Sequence, residues 1–250
     1  MLLNIIFIIA GIAIVLWGAD RLTEGAVAVA ERMKIPQIVI GLTIVAMGTS
    51  MPEFCVSLIS ALKGTSDLAV GNVVGSNIFN TLLIVGLSGA IAPMVILRST
   101  VLKDIPFALV ASVILMMMCF DGKIGRIDAA VLFVFFLVFM YMTVTGAKIE
   151  KKDLEAENKL AETALEIVPK MSTTMSAIWI IVGLGCLIGG STLFVEGATQ
   201  LATSLGVSEA IVGLTVVAGG TSLPELATSV VSARKGNSGI AIGNVLGSNV

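Results

Sequence analysis

The sequence predicts an all-α polytopic membrane protein built from two inverted repeats, and three observations predict it. The 250-residue chain is 56% hydrophobic and only 13% charged, with a mean hydropathy of +1.04. Soluble domains carry about 45–50% apolar and about 25% charged residues. Its apolar residues fall into runs long enough to cross a bilayer, which takes about 20 residues as a helix. A stretch of 37 positions also occurs twice, 172 residues apart, and the two copies open spans that lie an odd number apart.

Eight candidate spans follow one another along the chain. The first, residues 3–30, opens on an apolar run to Leu16 with no basic segment before it. It continues through Asp20, Arg21 and Glu24 into Ala26–Ala30, so it reads as a spanning helix rather than a cleavable signal. The second, 36–62, and third, 68–93, carry the first copy of the duplicated stretch. The fourth, 101–120, holds the run Met116–Met118, read as lipid- or helix-facing filler, and the fifth is 127–147; Asp104, Asp121 and Asp128 sit at span ends, where solvation explains them. Residues 148–175 mix both signs of charge without a spanning apolar run and read as a linker. The sixth span is 176–204, the seventh 209–233, and the eighth runs from 239 to the end. Aromatics are only 5%, while glycine (26) and methionine (12) are plentiful, as suits helices packed closely in lipid.

Basic residues orient the spans. With the N-terminus outside, eleven Lys and Arg fall in inner segments: Arg32, Lys34, Arg98, Lys103, Lys148, Lys151, Lys152, Lys159, Lys170, Arg234 and Lys235. Only Lys63, Lys123 and Arg126 fall in outer ones. The expected location is therefore the cell membrane, inner or plasma, with the linker cytoplasmic.

Several function classes are excluded or disfavoured. A net charge of −2 gives no basic footprint for nucleic acid. Histidine is absent, which removes histidine metal sites and the commonest general base. No nucleophile–base pair or cofactor loop is visible, so the chain reads as a transporter and not an enzyme, with no cofactor and no obligatory protein partner. Cys55, Cys119 and Cys186 lie far apart and are expected to be reduced, buried thiols.

Residues 41–77 and 213–249 match without a gap at 23 of 37 positions, and Glu24-Gly25 falls on Glu196-Gly197 at the same offset. The second span opens one copy and the seventh opens the other, so the copies enter the membrane from opposite sides. That is the plan of secondary transporters with a midplane site. Each copy contains G-T-S-x-P-E: Gly48 to Glu53 and Gly220 to Glu225. A carboxylate in mid-span costs roughly 2.5–3.5 kcal/mol and is found where function needs it. Thr49 and Ser50 precede Glu53 by four and three residues and share its helix face, with Ser57 a turn further; Thr221, Ser222, Glu225 and Ser229 repeat the arrangement. Pro52 and Pro224 lack an N–H, so each is expected to kink its helix and free carbonyls, around Ala46–Gly48 and Ala218–Gly220. The inventory is carboxylate, hydroxyl and carbonyl oxygen, which suits hard cations. Two carboxylates balance one Ca²⁺ or two Na⁺. The second element, G-N-V-x-G-S-N at 71–77 and 243–249, permits close helix approach through its glycines, and Ser76 and Asn80 add oxygens from one face.

On these paired motifs the sequence resembles the cation/calcium exchanger superfamily, and within it the prokaryotic sodium/calcium exchangers; related proton/calcium exchangers carry GNxxE where this chain has GTSxPE. The resemblance implies the inverted-repeat exchanger fold, with ten transmembrane helices of which about eight are present. It implies a diamond of ion sites between the second, third, seventh and eighth helices, and a first and sixth helix that slide to alternate access. It assigns Glu53 and Glu225 as central ligands, with Thr49, Ser50, Thr221 and Ser222 supplying hydroxyls and carbonyls. Ala46 and Ala218 would give backbone oxygens, Ser76 and Ser248 outer oxygens, and Asn80 a polar position beside them. It implies a first repeat at 1–147, a cytoplasmic linker at 148–175, and a second repeat at 176–250 that is cut short, since the partner of Asn80 would be residue 252. The expected function is Na⁺/Ca²⁺ antiport across the lipid bilayer, with Ca²⁺ and Na⁺ as transported ions. A proton/calcium exchanger of the same fold is the alternative, and a channel a third reading.

Overall fold

The computed structural model describes residues 1–146, 171–207 and 213–250. Among the described residues every regular element is a helix, the outcome demanded of a lipid-embedded chain, where each backbone N–H must find its carbonyl within the segment. The first helix, α1, spans Leu2–Met33, 32 residues or about 48 Å. That exceeds the roughly 30 Å hydrocarbon layer, so the helix must tilt or project from it. It ends where Lys34 takes a left-handed conformation (φ 53) and returns its N–H to Ala30 and Glu31. Pro36 then leads into α2, Gln37–Thr49. A wide π-helical turn interrupts α2 at Gly41–Val45. The chain breaks at Ser50 (φ −81, ψ 5) and resumes as α3, Met51–Leu62, with Pro52 in its first turn. The two pieces meet at 48°.

Gly64 (φ 76) turns the chain into α4, Asp67–Ile91, followed by α5, Thr100–Asp121, and α6, Arg126–Gly146. Residues 147–170, most of the expected linker, lie outside the described residues. The next helix, α7, starts at Thr173, slightly before the expected 176, because the Ser172 hydroxyl caps it by accepting the Met175 N–H at 3.2 Å. It runs to Ser204. The second copy reproduces the first: a wide turn at Gly213–Val217, a short α8 at Ala218–Thr221, a break at Ser222 (φ −88, ψ 5), then α9, Leu223–Arg234, with Pro224 in its first turn. Gly236 (φ 79) leads to α10, Ser238–Asn249. By length and composition, five described helices suffice to cross a membrane, or six when α2 and α3 form one bent span. The expected span 209–233 begins outside the described residues and continues as α8 and α9.

Helices α1 and α7 lie antiparallel and almost backbone to backbone. Gly11 faces Gly190, Gly18 faces Gly183, and Gly25 faces Ser176; a Cβ on Gly183 would sit 2.7 Å from the Leu22 nitrogen. Between these contacts pack Val15, Ala19, Leu22 and Ala26 with Ile180 and Leu187. A second close approach sets α10 parallel to α2, where a Cβ on Gly243 would meet the Ile38 carbonyl at 2.6 Å. Ile38, Val39, Leu42 and Ile242 join Leu97 and Phe139 there. By contrast α5 and α6 leave Leu109, Val113, Met117, Phe133 and Tyr141 exposed, an apolar surface that fits lipid.

One charged cluster fastens α9 to α1. Arg21 pairs with Asp20 at 2.6 Å and Glu24 at 2.7 Å, and its guanidinium lies over Trp17 and Trp179 at 5.8 and 5.3 Å. Lys235 reaches across to Asp20 and, at 3.2 Å, to Glu24. Arg32 donates to the Met171 carbonyl at 3.3 Å. The chain around Arg32 is thereby held beside the start of α7, and Lys235 is held to the same helix α1. All three cysteines are free, but Cys55 is exposed rather than buried and the other two are half-buried. The expectation of buried thiols fails for Cys55, which projects from α3 away from the packed core.

Candidate ion site between the two repeats

The site forms where the two helix breaks meet. Pro52 has no N–H to offer the Gly48 carbonyl, so the helix opens after Thr49 and a new helix begins at Met51. Glu53 thus falls in the first turn of α3, and Glu225 in the first turn of α9. The unpaired N–H groups of a helix N-terminus favour negative charge there. Both acids are withdrawn from the surface, Glu53 at 8% exposure and Glu225 at 1%.

Each acid is held by the serine of the other copy. Ser50 donates to Glu225 Oε1 at 2.8 Å, and Ser222 donates to Glu53 Oε1 at 2.9 Å. These crossed bonds are the two-fold relation of the repeats in atomic form. Each carboxylate keeps a second oxygen, Oε2, that is buried with no partner, and so are Asn80 Oδ1 and the Ser248 hydroxyl. Buried oxygens left without donors are costly, and acceptors of this kind are what a bare cation needs. They border a hollow of about 220 Å³ lined by Ser50, Glu53, Ser76, Asn80, Glu225 and Ser248, with Phe54, Ser57, Val73, Asn77, Asn249 and Val250 completing it. No cluster of three His, Cys, Asp or Glu occurs among the described residues, so the fixed negative charge here is limited to two carboxylates.

Six of the eleven expected ligands therefore line one hollow. The other five are not among its lining residues. Ser222 acts through Glu53. The Thr49 hydroxyl is wholly buried, 3.0 Å from Asn244 Oδ1 and 3.3 Å from the Ala46 carbonyl. Thr221 donates to the Ala218 carbonyl at 3.0 Å. The expected freeing of carbonyls is narrower than the sequence suggested. The Ala46 oxygen still accepts the Ser50 N–H at 3.0 Å, because the helix stays closed up to the break itself. Ser76 turns its hydroxyl to the Val73 carbonyl at 3.0 Å.

Two residues not singled out by the motif chemistry support the acids from behind. The Asn72 amide donates to the Glu53 backbone carbonyl at 3.1 Å and to Ser57 Oγ at 2.9 Å. The Asn244 amide does the same to the Glu225 carbonyl at 3.2 Å and Ser229 Oγ at 3.0 Å. The signal was available: in both copies an asparagine follows the glutamate by 19 residues. Asn249 joins the set, accepting from Asn80 at 3.1 Å and donating to Thr81 at 2.9 Å.

Comparisons with known proteins give the family and the fold. The family model for sodium/calcium exchanger protein matches residues 3–145 and 175–250. The chain belongs to the sodium/calcium exchanger family. It is 36% identical over 250 residues to CaxA of Alkalimonas amylolytica, provisionally named an antiporter, covering 100% of this chain and 77% of the relative. Sodium/calcium exchanger MaX1 of Methanosarcina acetivorans is 27% identical, covering 99% of this chain and 79% of that one. Among solved structures, the sodium-calcium exchanger NCX_Mj superposes with a TM-score of 0.85 at 28% identity, covering 100% of this exchanger and 78% of that chain. The protein is a membrane exchanger with the inverted-repeat exchanger fold.

Proposed function

We propose that this exchanger moves Na⁺ against Ca²⁺ by alternating access at the hollow between its repeats, with Glu53 and Glu225 as the central ligands. The observation that carries the reading is the crossed pair of serine–glutamate bonds, which leaves one unpartnered, buried oxygen on each acid. Two carboxylates balance one divalent or two monovalent cations, and either load leaves a near-neutral site in a low-dielectric interior. Sodium and calcium then compete for the same oxygens, which is the requirement for exchange rather than co-transport. Ser50, Ser76, Asn80 and Ser248 complete the lining, while Thr49, Thr221, Ser222, Ala46 and Ala218 position it or join it as the site closes. We assign the first repeat to residues 1–147 and the second to 176–250, with the N-terminus outside and the linker cytoplasmic.

The test is calcium uptake into vesicles containing the full-length protein. Glu53→Gln or Glu225→Gln is expected to abolish sodium-driven uptake, a loss of at least about 100-fold (~3 kcal/mol). Wild-type uptake in either variant overturns the assignment. Uptake by the wild type that follows a pH gradient in sodium-free buffer, and ignores sodium, replaces Na⁺ with H⁺ as the driving ion.

A further inference from the structure

The two supporting asparagines are equivalent in sequence but not in their bonding. Both spend their amide hydrogens in the same way, on the backbone carbonyl of the glutamate and the serine one turn beyond it. That fixes each amide's orientation, because an oxygen in the Nδ2 position would face a carbonyl oxygen. The remaining Oδ1 is then available to the other repeat. In Asn244, which is fully buried, it accepts the Thr49 hydroxyl at 3.0 Å. The repeat-related pair is Asn72 and Thr221, each 172 residues away, and among the described residues that bond is not made. Thr221, like Thr49, donates to the carbonyl three residues back, here Ala218, but lacks the second partner, and Asn72 is only half-buried.

An inverted-repeat transporter reaches its opposite-facing state by exchanging the arrangements of its two halves around a fixed site. Applied here, the exchange would break Asn244–Thr49 and make Asn72–Thr221. The bonds to the acidic helices are local to each repeat, so among the bonds of these two asparagines only the one to threonine crosses between the repeats. We propose that Asn72 and Asn244 are positioning residues of the exchange site. Each anchors the acidic helix of its own repeat, and the two take turns in holding the opposite repeat's threonine. This rests on the alternating-access reading above and adds the element that distinguishes its two states.

The test reads the state directly and needs no transported ion. Val73 lines the hollow, so V73C in a full-length protein freed of Cys55, Cys119 and Cys186 reports access by its rate of reaction with an impermeant thiol reagent. Asn244→Ala removes the bond holding the present state, and the reaction rate from the face that reaches Val73 falls roughly 2- to 10-fold. Asn72→Ala removes its rival, and the rate rises. Thr49→Val follows N244A in sign, and Thr221→Val follows N72A. These threonine variants carry the test if an asparagine variant does not fold. In exchange assays of the same variants, the apparent KM for calcium shifts in opposite directions at a given face. Shifts of the same sign in N72A and N244A, or none, overturn the proposal; sodium-driven uptake lost in E53Q with same-sign shifts here would leave the transport reading standing and this one refuted.

Discussion

Ser222 is almost wholly buried, and its hydroxyl is the donor on Glu53 Oε1. Replacing it with alanine leaves both oxygens of that carboxylate without a donor, at a cost of about 1–3 kcal/mol in the ion-free protein. Calcium should narrow the deficit, because a bound cation supplies what the serine withheld. Thermal unfolding in detergent checks both halves. Calcium at 100 times its Kd is expected to stabilise the wild type by about 2.7 kcal/mol, the S222A deficit should shrink in calcium, and Glu53→Gln should lose the calcium shift altogether. A deficit that calcium leaves unchanged would place Ser222 outside the site. At this scale the sequence exposes charge better than support. Glu53 and Glu225 stand out because a carboxylate in an apolar run has no structural excuse. Asn72 and Asn244 do not, since an asparagine beside GxxxG glycines passes for packing until its partners on another helix are known. Ala46 and Ala218 could contribute only backbone oxygens, whose engagement no side-chain pattern reveals.

Helices α1 and α7 show how elements are joined without a hydrophobic drive between them. In lipid, association relies on close van der Waals contact, which small residues permit. Gly183 illustrates the demand, since a methyl group there would press on the Leu22 backbone, whereas one on Gly185 meets nothing within 4 Å. The two positions, two residues apart on one helix, form an internal control. Gly183→Ala should destabilise the protein by about 1–3 kcal/mol through overpacking. Gly185→Ala should be neutral or stabilising by about 0.5–1 kcal/mol, because alanine is the better helix former. Equal melting temperatures for the two variants would contradict the packing. Long helices were legible as apolar runs, and the breaks at Ser50 and Ser222 as Pro–Gly punctuation. The wide turns at Gly41–Val45 and Gly213–Val217 were not, because a π-helical turn changes hydrogen-bond register without changing hydropathy.

The whole molecule is organised by one relation, that its halves are the same unit inserted in opposite directions. The duplicated sequence and the odd span count made that legible, and the crossed serine–glutamate bonds express it at the site. Side-chain contacts also join segments of the two repeats. Lys235, at the end of the second acidic helix, binds Asp20 and Glu24 of α1, and Arg32 beyond them on α1 contacts Met171 ahead of α7. Helix α10 packs at Gly243 against Ile38, just past the turn that ends α1. The first acidic helix leaves the break at Ser50 and ends near Lys63, whereas the second leaves Ser222 and ends at Arg234. If the repeats are inverted, those two ends must emerge on opposite sides of the membrane. Lys63 and Arg234 are both exposed, so single cysteines at each, in a chain lacking the native three, are accessible to an impermeant thiol reagent. Lys63→Cys should react only from outside and Arg234→Cys only from inside, in keeping with the basic residues concentrated on the inner segments. Labelling of both from one face would make the repeats parallel. The two acids would then enter from the same side, and a single site served alternately from either face would lose its structural basis.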